Sequence, residues 1–482
     1  MRKQRHFGKS AAGKHLAVIA LAALTLCSAQ LAACKKKPPP PVAEPDPSAE
    51  IAEIIEVAPS AARAPGPVAA RCHELAQAGQ FRIGEVAPSR TAPDDSDDAG
   101  PDEDDEVPAP FSVELGQARA DVDGFAISAL RSLKGESHAL VALLNGDAGA
   151  GKLVDLGVVH GDPDPPLFAE QGKDLLIAAS DADAGGGMLR VGLVKDARGA
   201  AQISWGPEIT GVRRDSTFAL EVNGDHAVVA YAAEAAGKIR VYGALVDPSS
   251  LKQKLAPEPL SAAGADVDSP RLALRKGGYW LAVARSLDAP KIKPKPHPSE
   301  AGAGRVGTPD GVDTDAQDSL LDIGTRRIEV IKLDVQGKIA SSPLVVTTSG
   351  ARPMSFELAP ASDGGAYVAF RDDDSTPGTD GGALQLVHVK ADGTFEKVPL
   401  TGDDNGTGTP SLLVDSSDPT RIVLAAPGEN GATWFGRIAP HSTLSADSVV
   451  RGGDLIAARD GKLLLSRSRG TAAEFSLVQC GD

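Results

Sequence analysis

The chain has 482 residues, 24% charged and 42% hydrophobic, with a formal net charge of −16. Residues 1–33 hold five of its cations and none of its acids, so residues 34–482 are more acidic still. A surface of that sign repels phosphate backbones and excludes general nucleic-acid binding. With 11 Phe, 4 Tyr and 3 Trp, any core must rest on Val, Leu, Ile and Ala.

The amino terminus opens on a basic leader, "MRKQRHFGKSAAGKH", followed by an apolar stretch, "LAVIALAALTLCSAQLAA". That order is the plan of a signal peptide over 1–33, with a permanent anchor helix as the competing reading. Leu31-Ala32-Ala33-Cys34 resembles the lipobox of bacterial lipoproteins. The resemblance covers about the first 34 residues. It implies that Cys34 is acylated and becomes the first mature residue. It also implies membrane attachment, and an address in the bacterial cell envelope. Lys35, Lys36 and Lys37 then meet anionic head groups, and Pro38 to Pro41 start a stiff tether over 34–70. Lysine rather than aspartate after the cysteine points, by the same resemblance, to the outer membrane.

Residues 71–90 are more patterned, and "QFRIGEV" (80–86) reads as a strand. The segment 91–110 is an acidic linker whose "DDSDDAGPDEDDE" (94–106) lacks calcium-loop spacing. From Phe111 to Asp482 the chain repeats loosely, seven times, as a short strand, a Gly- or Asp-containing turn and a more apolar second strand, then a third. The second strands are read as "HALVALL" (138–144), "LLIAAS", "HAVVAY", "YWLAVAR", "AYVAFR", "IVLAAP" and "KLLLSR". No long helical period appears after Phe111. The expected fold is all-β: a seven-bladed β-propeller, with tandem β-sandwiches as the alternative. Residues 286–325 interrupt it as a disordered insertion.

The last unit stops one strand short, so closure of the ring calls for "FSVELGQ" (111–117) or "QFRIGEV" from the front of the chain. If Cys27 leaves with the leader and Cys34 is lipidated, Cys72 and Cys480 remain as disulfide partners in an oxidising compartment. Two free thiols are the alternative.

No catalytic constellation is legible. "GDAGAGK" (146–152) has half of a phosphate-binding loop, but Leu153 stands where a hydroxyl should hold magnesium and the continuation alternates like a strand. A Gly-rich hairpin explains it better, and no nucleotide is expected. "HELAQ" lacks the second His of a zinc-protease motif. No cofactor is expected; calcium is the exception worth checking, with Asp181 and Asp183 in "DADAGGG" and Asp372, Asp373, Asp374 and Asp380 in "RDDDSTPGTDGG". The leading expectation is a lipid-anchored, non-enzymatic propeller that presents a binding or scaffolding surface to an envelope protein or glycan. The rivals are a propeller enzyme acting on polysaccharide, with carboxylates gathered in the central channel, and a purely structural lipoprotein. Channel carboxylates would favour the enzyme; an apolar or aromatic patch on one rim would favour partner binding.

Overall fold

The computed structural model describes residues 72–75, 81–83 and 112–480, the last range apart from 122, 134–135, 150, 162, 184–185, 214–216, 263–265, 288–324, 349–350, 352, 373–382, 402–408, 428–431, 439–443, 446–447, 452 and 470–471. The chain divides into two units, 1–65 and 66–482, and every described residue lies in the second. The leader, Cys34, the tether and the acidic linker therefore fall outside the described residues, as do Asp373, Asp374, Asp380 and nearly all of the insertion.

Strands are the only regular elements among the described residues. Five sheets each contain four consecutive antiparallel strands, over 112–159, 167–212, 218–259, 267–345 and 353–397. Tight turns make this meander possible. Gly224 and Asp225, for instance, join Phe218–Asn223 to His226–Ala235, and Gly224 takes a φ of 63°, which glycine adopts without penalty. A sixth, nine-stranded sheet holds two further repeats. Its halves meet through one parallel pair, Asp415 with Ala458.

The first strand of every repeat lies innermost. In order these are Ser112–Ala120, Leu167–Gln171, Phe218–Asn223, Val267–Arg275, Pro353–Pro360, Ser411–Asp415 and Asp454–Arg459, each adjoining the next, with the last returning to the first. This ring is a β-propeller and excludes tandem sandwiches, which share no axis. Counted as hydrogen-bonded sheets it has six blades, where the sequence led to seven. The sixth and seventh repeats are fused along their inner strands, although Val423, Leu465 and Val478 still pack as an apolar layer between them.

The first repeat also differs in phase. "HALVALL" lies in its third strand, Glu136–Asn145, because Gly124–Leu133 precedes it as the second. Ser128, Arg131 and Ser132 break up the apolar run of Gly124–Leu133 and hide it as a core strand.

The core lies between consecutive sheets, built from the branched and small side chains that composition calls for. Phe168, Leu175 and Ile177 of the second sheet, for example, pack on Val141 and Leu143 of the first. The last sheet packs on the first through Ile83, Phe125, Leu140, Leu144 and Phe475. Strand Ala472–Cys480 receives its outer partner from the front of the chain, as Cys72–Glu74 and Phe81–Ile83 both pair with it antiparallel. Ser112–Ala120, the other candidate for this place, is the inner strand of the first sheet instead.

Candidate active site in the central channel

Inner strands bring their side chains to the axis, so the residues on the channel wall are set by the repeat rather than by any local motif. Two cavities occupy the channel, of about 420 and 350 Å³, within the size range of sites for small organic ligands. They share a waist of Gly116, Gln117, Arg119, Glu221, Leu272 and Glu357. Gly116 is required there. A Cβ at that position would stand 2.6 Å from Pro165 Cβ and from Ser128 Oγ, so a side chain would force Pro165 and Ser128 to shift.

Two ion pairs cross the waist. Arg119, on the first sheet, donates to both carboxylate oxygens of Glu221 on the third, with Nη1 to Oε2 at 3.3 Å. This fork-on-carboxylate geometry fixes direction as well as charge. Burial works against the Arg119 charge, but the Glu221 carboxylate outweighs it and holds the guanidinium above its ordinary value. On the far side Arg271 Nε donates to Glu357 Oε1 at 3.3 Å, and its guanidinium lies 5.7 Å from the Phe356 ring centre. Gln117 is fixed too: its side-chain oxygen accepts the Phe168 N–H at 3.0 Å, joining sheets one and two.

Beside this waist lies Glu170, on the inner strand of the second sheet. It is half-buried, and its Oε1 is sealed from solvent with no hydrogen-bond partner among the described residues. Burial pushes its carboxyl up to about 7, Asp121 adds to the rise, Arg119 and Arg198 pull it back, and Glu221 raises it again. Asp121 and Arg198 are themselves committed to each other, with Nη2 to Oδ2 at 2.7 Å. The cluster thus holds a carboxyl group that keeps its proton near neutrality within electrostatic reach of Glu221, which Arg119 pairs. A carboxyl group that still holds its proton near pH 7 is what a general acid requires.

None of Arg119, Glu170, Glu221, Arg271 and Glu357 was singled out by the sequence. A signal was present: Glu170 and Glu221 each follow three apolar residues at the start of an inner strand, "LFAEQ" and "FALEVN".

The residues that the sequence did single out lie elsewhere. Asp181 accepts the His160 N–H at 2.9 Å and stands 3.5 Å from Arg190 Nη1, so its oxygens serve a cation and a turn within the protein. Asp183 pairs through its backbone with Gly186, and Asp372 with Ala383. Among the described residues no group of three or more His, Cys, Asp or Glu side chains is gathered as metal ligands require. In "GDAGAGK", Lys152 begins the strand Lys152–Val159, and its ammonium donates to the Ala197 and Gly199 carbonyls. Cys72 and Cys480 are brought directly opposite each other as Cα partners.

No family model matches the chain, and no curated protein matches it. Among solved structures it is similar to an ulvan lyase of a new polysaccharide lyase family, bound to -[GlcA(1-4)Rha3S]-. The TM-score is 0.50 at 9% identity, over 77% of this chain and 95% of that one. It is also similar to the BP39L lectin of Burkholderia pseudomallei, at TM-score 0.49 and 14% identity over 76% and 95%. An α-L-arabinanase of Penicillium chrysogenum complexed with arabinobiose aligns at TM-score 0.40 and 9% identity, over 65% and 92%. At these identities what is shared is the propeller fold.

Proposed function

We propose that this propeller acts on polysaccharide at its central channel, cleaving glycosidic bonds with Glu170 as proton donor and Glu221 as the charged carboxylate. The observation that carries the reading is the Glu170 carboxyl, held up to about 7 beside a carboxylate that Arg119 compensates. Glu170 gives its proton to the glycosidic oxygen as the bond to the anomeric carbon breaks. Glu221 accepts a proton from the water whose oxygen replaces the leaving group. A propeller of similar fold, the ulvan lyase, acts on polysaccharide by its name, which makes the same polymer class the first to test.

A pure docking surface draws less support. The exposed large apolar residues among those described, Leu153, Leu274, Ile339 and Phe395, are spread over three sheets. The anchor belongs to the same proposal. Lipid on Cys34 and the tether over 34–70 would hold the ring at the outer membrane of the envelope, within reach of surface or periplasmic glycan.

The test is release of reducing ends from a panel of neutral and acidic polysaccharides by the full-length protein. Glu170→Gln should lower the rate about 10²- to 10⁴-fold and leave polysaccharide binding intact. Equal turnover by the variant, cleavage of no polymer, or products with unsaturated ends would each overturn hydrolysis by this carboxyl pair.

A further inference from the structure

We propose that Cys72 and Cys480 form a disulfide that locks the ring shut. Backbone register sets the two residues in place. Cys72–Glu74 runs antiparallel to Ala472–Cys480, with Cys72 opposite Cys480, His73 opposite Gln479 and Glu74 opposite Val478. One residue further on, the Leu75 N–H donates to the Leu477 carbonyl at 2.9 Å, which makes Leu75 and Leu477 a hydrogen-bonded pair. Hydrogen-bonded and non-hydrogen-bonded pairs alternate along an antiparallel ladder. Counting back from Leu75 therefore makes Cys72 and Cys480 a non-hydrogen-bonded pair. Such pairs bring Cα atoms to about 4.5 Å with side chains closer than at the other sites. That spacing falls within the range of about 4.4 to 6.8 Å that a disulfide spans without backbone movement.

The position has a mechanical consequence. Cys72 is the first residue of its strand, so the bond stands where a pull on the preceding chain would begin to peel the strand away. It closes a loop of roughly 400 residues, long enough for the largest loss of unfolded-state entropy on the chain-entropy account. It also fastens an edge strand of only three residues to its neighbour.

Formation is a two-step exchange with an external small-molecule or protein disulfide as oxidant. The thiolate of one cysteine attacks the external disulfide and releases one thiol. The second cysteine's thiolate then attacks the mixed disulfide, releases the other thiol and leaves the Cys72–Cys480 bond. Two protein thiols are oxidised as one external disulfide is reduced to two thiols. Such oxidants operate outside the cytosol, the compartment that the leader implies.

The experiment is peptide mass spectrometry on full-length protein isolated without reductant and alkylated under denaturing conditions. The expected result is a peptide containing Cys72 joined to one containing Cys480, separated by reductant. Both thiols alkylated, or either joined to Cys27 or Cys34, would overturn the proposal. Thermal unfolding is the second measurement. Reductant should lower the wild-type Tm by about 5–10 °C, and Cys72→Ser, Cys480→Ser and the double variant should share that lower value whether reductant is present or absent. A wild-type Tm indifferent to reductant would overturn it equally. Neither readout depends on polysaccharide cleavage, so this proposal and the catalytic one fail separately.

Discussion

The Glu170 carboxyl is held near neutrality, and the fold keeps it so at a cost in stability. Proton linkage gives the sign. Below about 4.5 both the folded and unfolded chains bind the proton, and the residue contributes no penalty. Between about 4.5 and 7 the unfolded chain has released the proton while the folded chain retains it, so stability falls as pH rises; above 7 the penalty is complete. Glu170→Gln should therefore leave stability at pH 4 nearly unchanged and raise it at pH 8 by on the order of 2–3 kcal/mol. Denaturant unfolding across that pH range checks this, and a constant difference between variant and wild type would contradict it. The sequence showed this glutamate only as a charge in an apolar strand. What raises its proton affinity is burial together with Asp121 and Glu221, against the opposing pull of Arg119 and Arg198. Asp121, Arg198 and Glu221 come from the first, second and third repeats, so no local window could contain the signal.

At the scale of strands and turns much more was legible, because hairpin chemistry and apolar alternation are local. Gly224 and the alternation of "HAVVAY" announce a strand pair that the structure forms over Phe218–Ala235 without a register shift. The long insertion was legible as an interruption, and its ends show why it is tolerated. The Leu287 N–H donates to the Thr325 carbonyl at 2.8 Å, so the chain leaves and re-enters the fourth sheet at one point. The fusion of the last two repeats was not legible, since the contacts that make it join residues more than 40 positions apart, with one buried side chain at their centre. Asp415 is 2% exposed and accepts the N–H groups of Ser417 at 2.9 Å, of Asp460 at 3.1 Å and of Gly461 at 2.9 Å, tying the sixth repeat to the seventh. Burial opposes its charge, but the hydrogen bonds from Ser417, Gly461 and Asp460 outweigh it and hold the carboxyl below its usual range. A depressed carboxyl gives stability that is present above its unfolded range, around 3.8, and lost as the pH falls through its lower folded value. Asp415→Ala should cost about 1–3 kcal/mol at pH 7, a loss that narrows toward pH 2. Hydrogen exchange should then rise first in 411–427 and 454–469. Unchanged protection there would show that the single bridge does not depend on Asp415.

At the scale of the whole molecule, the repeat spacing and the missing last strand together implied a closed ring, and the inner strands do return on themselves. Counting repeats gave the number of units but not how their edges bond, so seven units became six sheets. Closure also explains why the polar residues of inner strands are functional candidates: once the ring is shut, their side chains have the channel or the neighbouring sheet to face. Arg119 can then reach Glu221 across 102 positions of sequence. The catalytic reading depends on that closed geometry, because Glu170 keeps its proton only while the first three sheets enclose it. Its sharpest test is a carbon-detected NMR titration of the Glu170 carboxyl in the intact protein, assigned by its absence in Glu170→Gln. A midpoint at about 7 is expected; a midpoint in the ordinary glutamate range of about 4.3 would contradict it.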